Sequence, residues 1–159
     1  MAGTSFSLLI AQLGGLGKAP FAPGTAATIV AGIPSACLLN AVSEPWALFI
    51  LGIFVLASVY WADVAETKLQ RTDPKEVVID ELVGFLITMF GFPFTPQTLV
   101  LGIVTFRLLD ISKPWPVKMF QERLKGGVAI VMDDVAAGIL AHAFVWVFLD
   151  MWGSMGQMR

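Results

Sequence analysis

The sequence has one cysteine, Cys37, and one histidine, His142. A lone cysteine cannot close an intramolecular disulfide, and in its apolar run it reads as a small packed residue. Charge is scarce too: 14% of the 159 residues are Asp, Glu, Lys or Arg, against 57% hydrophobic. No basic patch is interleaved with aromatics and the net charge is −2, which sets nucleic-acid binding aside. The N-terminus lacks a basic leader and a convincing cleavage site. No signal peptide is therefore expected, and the first apolar segment is expected to stay with the chain.

What the chain does have is apolar length. Its mean hydropathy is +0.79. A soluble domain with so few charges could not cover that much apolar surface. The expected fold is an all-α, multi-spanning helical membrane protein, one domain over residues 1–159, with about four to five transmembrane or half-spanning helices.

Residues 1–16 are too short to span and read as an interfacial or re-entrant piece. The Gly- and Pro-rich stretch 14–25 reads as irregular backbone, since each proline biases its predecessor away from helix. Thr25 to about Val42 is a first span. Ser43, Glu44 and Pro45 form a turn, and Trp46 to Ala62 is a second span with Trp46, Tyr60 and Trp61 as interfacial anchors. Val77 to Leu109 is interrupted by Gly91 to Pro96 (GFPFTP). Each half is about 21 Å of helix, short of the roughly 30 Å of a bilayer core, so two short tilted helices are expected. Met119, Phe120 and Leu124, with Lys118, Arg123 and Lys125, form a short amphipathic stretch suited to the headgroup plane. The last span runs from about Asp134 to Trp152, with His142 inside it, expected to hydrogen-bond a neighbouring helix.

The turns at 43–45 and 91–96 contain no Lys or Arg, whereas Lys18, Lys68, Arg71, Lys75, Arg107, Lys113, Lys118, Arg123 and Lys125 fall in the other connections. That bias places those connections on the cytoplasmic face.

The same connections carry the acids. Asp80 and Glu81 open one apolar segment, and Asp133 and Asp134 open another. One acid per helix start is ordinary capping; two adjacent acids, twice, suggest a shared ligand. Asp110 adds a fifth carboxylate. Gathered on one face, the five would repel one another unless a hard cation sat among them. Oxygen ligands with no Cys or His nearby suit Mg²⁺, or Mn²⁺, over Zn²⁺. Arg107, Asp110 and Lys113 recur every three residues and share a helix face. Alone they would be a surface ion-pair ladder. Beside a metal, Arg107 and Lys113 could grip a phosphoryl group. Thr25, after the Pro-Gly turn, suits either an anion or a plain helix cap; the stretch lacks the spacing of a Walker A loop. Asp63 and Glu66 read as a solvated helix end, and Asp73 either as a loop residue that reaches the site or simply as the start of a turn at Asp73-Pro74.

Three blocks now coincide: GLGKAPFAPGT (Gly15 to Thr25), DPKEVVIDELVG (Asp73 to Gly84), and the run from FRLLDISKPWP to GGVAIVMDDVAAG (Phe106 to Gly138). In order and content they resemble phosphatidylglycerophosphatase A, a family of bacterial membrane lipid phosphatases. The resemblance implies Mg²⁺-dependent removal of the terminal phosphate of phosphatidylglycerophosphate at the cytoplasmic face of the inner membrane. Its motif positions fall on Thr25, Asp80, Glu81, Arg107, Asp110, Lys113, Asp133 and Asp134. Two small-residue departures stand beside them: Ala129 replaces a usual glycine, and PGTAAT replaces PGT.GS.

On this reading Asp80, Glu81, Asp110, Asp133 and Asp134 hold the ion, and Thr25, Arg107 and Lys113 bind the phosphate. Asp80, Asp133, Asp134 and Lys113 carry the chemistry, through an activated water or an aspartyl nucleophile. The phospholipid stays in the bilayer. The alternative is a divalent-cation transporter, which would place acids near the bilayer midplane on broken helices.

Overall fold

The computed structural model describes residues 6–157, and among them every regular element is helical. The N-terminal piece is α1 (Phe6–Ala11) followed by a 3-10 segment (Leu13–Lys18); residues 1–5 lie outside the described chain. The first expected span is a helical run from Pro23 to Asn40. It is built from α2 (Pro23–Ala27), one π turn (Thr28–Gly32) and α3 (Ile33–Asn40). Pro34, just inside α3, has no N–H to return to Val30, which accounts for the widened turn before it.

Then come α4 (Glu44–Leu69), α5 (Ile79–Met89), α6 (Pro96–Ser112), α7 (Val117–Arg123) and α8 (Gly126–Gln157). Prolines sit in the first turn of α4 and α6, where a missing N–H costs nothing. Thr95 caps α6 by accepting from the Thr98 N–H at 3.2 Å. The GFPFTP break thus divides the chain as expected. Two boundaries differ from expectation. The helix α4 runs past Ala62, and α8 starts at Gly126 rather than near Asp134. The reason is tertiary: Asp63, on the extension of α4, accepts a hydrogen bond from the Gly127 N–H at 3.0 Å. The residue read as a solvated end is instead the cap of α8.

Two segments are long and apolar enough to cross a membrane, α4 and Gly126–Trp152 of α8. Exposed apolar side chains form a belt, with Leu48, Phe49 and Leu56 on α4, Val100 and Leu108 on α6, and Ile139 and Trp146 on α8. So much uncovered apolar surface is what lipid, not water, accommodates.

Inside the belt lies α5, only about 16 Å long yet buried over most of its length, from Ile79 to Met89. Phe85 packs against Phe106 of α6 with ring centroids 6.4 Å apart. The approach of α5 to α8 is closer still. A Cβ on Gly138 would lie 2.4 Å from the Gly84 carbonyl oxygen, and one on Gly84 would lie 2.7 Å from the Asp134 carbonyl oxygen. Only glycine permits that contact. Thr88 donates to the Gly84 carbonyl at 2.9 Å within α5 and reaches the Gly138 carbonyl of α8 at 3.4 Å. One turn back along each helix from this crossing stand Asp80 and Asp134.

At the opposite end, the Asn40 side-chain amide donates to the Phe92 carbonyl at 3.0 Å and ties α3 to the turn after α5. His142 stacks on Phe92 at 4.5 Å, and its buried Nδ1 makes no hydrogen bond. Stacking thus replaces the expected interhelical bond.

Candidate active site

The segment before α5 is pinned in place. The Val78 N–H donates to the Ala11 carbonyl at 3.0 Å, and the Val77 N–H to Pro74 at 2.8 Å. Val77, Val78 and Ile79 are buried. Arg71 donates to Glu76 at 2.8 Å across the same loop. That bond holds the Glu76 carboxyl below its ordinary range. The start of α5, and with it Asp80 and Glu81, is therefore fixed from both sides.

Asp80, Glu81 and Asp134 each offer one carboxylate oxygen within 4.8 Å of the others. Among the described residues, Asp80 Oδ1, Glu81 Oε2 and Asp134 Oδ2 are buried and make no hydrogen bond. A buried acceptor left unpaired costs about 1–3 kcal/mol, more when it is charged. Unpaired oxygens on three neighbouring carboxylates form a donor set without a partner. A hard divalent cation fits it by ligand chemistry and by charge.

The other two expected ligands are already occupied by cations. Lys113 Nζ donates to Asp133 Oδ2, and Asp133 Oδ1 accepts from the Asp134 N–H at 3.0 Å. Arg107 Nη1 lies 2.7 Å from Asp110 Oδ2 and 3.8 Å from Glu81 Oε1. The structure therefore separates the five acids into a clustered trio, in which Glu81 also approaches Arg107, and two members held closely by the cations. All four aspartates are at most 8% exposed, a setting in which unpaired charge would be costly. Arg107 Nη1 and Nε make no hydrogen bond, so the guanidinium neutralises Asp110 while keeping donors for another acceptor. Burial alone would lower the pKa of Lys113. The hydrogen bond to Asp133 and the charges of Asp133, Asp134 and Asp73 outweigh it and hold the ammonium above the ordinary lysine range.

These groups open into one cavity of about 280 Å³. Asp80, Glu81, Arg107, Asp110, Lys113, Asp133 and Asp134 all line it; Thr25 does not. Its neighbours Ala22, Pro23 and Gly24 do, with Asp73 and Lys75 from the loop before α5. A Cβ on Gly24 would stand 2.1 Å from Glu81 Oε1. The part of the Pro-Gly-Thr turn that meets the site is thus its glycine, which lets the backbone press onto Glu81. Tandem carboxylates were visible as adjacent letters; close backbone approach left no such sign. Asp133 and Asp134 also sit two turns inside α8, not at its start, so the helix dipole is not what favours them.

Three residues lining the cavity, Ala22, Asp73 and Lys113, are non-glycine residues at positive φ, between 40° and 48°. Such strain gathers at functional sites. Ala22 is exposed and precedes a proline, which makes a helical ψ worse. Ala22→Gly is expected to stabilise the fold by about 0.5–1 kcal/mol, the left-handed cost less the added glycine entropy. Thermal unfolding in detergent checks it, and a lower melting temperature would contradict the strained backbone.

A family model described as phosphatidylglycerophosphatase A matches residues 9–149. A phosphatidylglycerophosphatase A of Escherichia coli is 31% identical over 141 residues, covering 87% of this chain and 80% of its own. A Bacteroides thetaiotaomicron protein, provisionally named a phosphatidylinositol-3-phosphatase, is 33% identical over 144 residues, covering 87% of this chain and 89% of its own. A Haemophilus influenzae phosphatidylglycerophosphatase A is 31% identical over 126 residues, covering 79% and 77%. No solved structure matches the chain. The matched span takes in every element that lines the cavity, and the chain belongs to the phosphatidylglycerophosphatase A family.

Proposed function

We propose that the chain hydrolyses phosphatidylglycerophosphate to phosphatidylglycerol and phosphate, using Mg²⁺, at the cytoplasmic face of the bacterial inner membrane. The observation that carries this is the clustered trio of carboxylates on Asp80, Glu81 and Asp134, set in one cavity with Arg107 and Lys113. The trio is the proposed ion site. A divalent ion there supplies Lewis-acid charge against the phosphoryl oxygens.

The remaining work belongs to side chains. Arg107 turns its unused donors to the phosphate and gains its orientation from Asp110. Lys113 stays charged and, held by Asp133, stands where negative charge develops on the departing oxygen. Asp133 thus acts as the partner that aims Lys113. The lysine- and arginine-bearing connections all meet at this end, which supports its cytoplasmic placement.

Nothing favours the cation-transporter alternative. Asp80, Glu81 and Asp110 lie at the start of α5 and near the end of α6, and Asp133 and Asp134 two turns into α8; the relatives are named as phosphatases.

Phosphate release from phosphatidylglycerophosphate in detergent micelles, with Mg²⁺ and with EDTA, tests the proposal. Release with Mg²⁺ and its loss in EDTA are expected; release that EDTA leaves untouched would remove the ion from the reaction. The substrates named for the relatives share more than a phosphomonoester. In each, a polyol bears the phosphate and is itself joined to diacylglycerol through a phosphodiester.

A further inference from the structure

Beside the catalytic cavity lies a second one of about 370 Å³. The two share Asp73 and Asp133, so they adjoin across those side chains. The second is lined by Glu66, Thr72, Leu124, Lys125, Ala129 and Ile130 among others. We propose that it is the headgroup subsite, in which Lys125 binds the phosphodiester of the lipid. This rests on the lipid-phosphatase reading above.

Lys125 makes no ion pair among the described residues. Lys118 pairs with Glu122 at 3.3 Å and Arg71 with Glu76 at 2.8 Å, and of the unpaired cations among the described residues Lys125 is the one that lines this cavity. Its backbone is nonetheless held. The Leu124 N–H donates to Phe120 at 3.0 Å on one side, and Gly127 is bonded to Asp63 on the other. An exposed cation without an ion pair among the described residues, between two held stretches of backbone, thus borders a cavity adjoining the phosphate site.

The chemistry of the substrate matches this layout. The scissile phosphate and the phosphodiester are two anions separated by one polyol. With the first among Arg107, Lys113 and the carboxylate trio, the second falls in the adjoining space. Glu66 and Thr72 offer oxygens to a polyol hydroxyl, and Leu124, Ala129 and Ile130 give an apolar wall for its carbons. The polyol differs between the substrates named for the relatives, while the phosphodiester is constant. A single cation is suited to reading the constant part.

A lysine near a membrane also attracts anionic lipid in general, and the test separates the two roles. Phosphatidic acid carries a phosphomonoester but no phosphodiester. The full chain in mixed micelles, with Mg²⁺, is assayed on phosphatidylglycerophosphate and on phosphatidic acid. Lys125→Gln is expected to raise KM for phosphatidylglycerophosphate about tenfold, as for a lost charge-assisted contact, with kcat little changed. The ratio of kcat/KM between the two lipids falls by the same factor, and Lys125→Arg restores most of it. Ala129→Leu, which fills the cavity without altering charge, is expected to lower the same ratio. An unchanged ratio in both variants overturns the subsite. An equal loss on both lipids in Lys125→Gln overturns it too, in favour of general attraction to the membrane surface. Absence of phosphate release from either lipid by the unaltered chain would instead remove the enzymatic reading itself, and the subsite with it.

Discussion

Asp134→Asn and Asp80→Asn each reduce phosphate release by about a thousandfold or more, the scale set by losing several kcal/mol of charge stabilisation, while the protein still folds. The substitution is nearly isosteric, so packing at the crossing of α5 and α8 is preserved. What changes is charge. In the trio, each carboxylate offers an oxygen within 4.8 Å of the others, and each has a buried oxygen with no hydrogen-bond partner. Neutralising one relieves repulsion in a setting where like charges are costly. In EDTA the variants are therefore expected to melt at or above the temperature of the unaltered chain. Mg²⁺ reverses the order. At about a hundred times its dissociation constant it adds roughly 2.7 kcal/mol to a protein with an intact site and much less to the variants. The two measurements move in opposite directions only if the trio holds the ion. Hydrolysis at the original rate, or an undiminished response to Mg²⁺ in both variants, would show that the ion sits elsewhere.

The second large effect lies where no charged group is touched. Gly138→Val is expected to cost about 3 kcal/mol or more, at the upper end for overpacking, and to abolish activity. Its Cβ would meet a backbone oxygen at 2.4 Å, and a backbone cannot rotate aside. The helices must part, and Asp80 then parts from Asp134. Gly102→Ala makes the internal control. Its Cβ would meet Met89 Sδ at 2.5 Å, the mobile end of a flexible side chain, so a cost under about 1 kcal/mol is expected. Gly52→Ala meets nothing within 4 Å and is expected to be neutral or to stabilise by up to about 1 kcal/mol through helix propensity. Thermal unfolding ranks the three. Should Gly138→Val prove no more harmful than Gly102→Ala, the tight crossing would not be what brings the carboxylates together.

The features legible in the sequence were those with local causes. Pro45, and the prolines of GFPFTP, break helices by their own geometry, and the breaks fall where expected. Paired acids and an Arg-Asp-Lys ladder announced a charged site, and the structure gathers all seven of those residues around one cavity. Features with tertiary causes stayed hidden. The last span read as starting near Asp134, yet Asp63 of α4 caps a helix that begins at Gly126. Sequence also could not partition the acids. Which carboxylates face a cation and which face one another depends on how α5, α6 and α8 cross. His142 stacks on a phenylalanine from the turn after α5, a neighbour that no periodicity announces.

The apolar belt around α4, α6 and α8 also bears on kinetics. A catalyst confined to a sheet of lipid meets its reactant by lateral diffusion, so the operative concentration is a mole fraction within the surface, not an amount per litre. The two products then part along perpendicular paths. The dephosphorylated lipid, still anionic through its phosphodiester, drifts away in the plane, while inorganic phosphate leaves into the aqueous phase. Their re-encounter at one mouth is correspondingly rare, and that separation helps to make the step one-way.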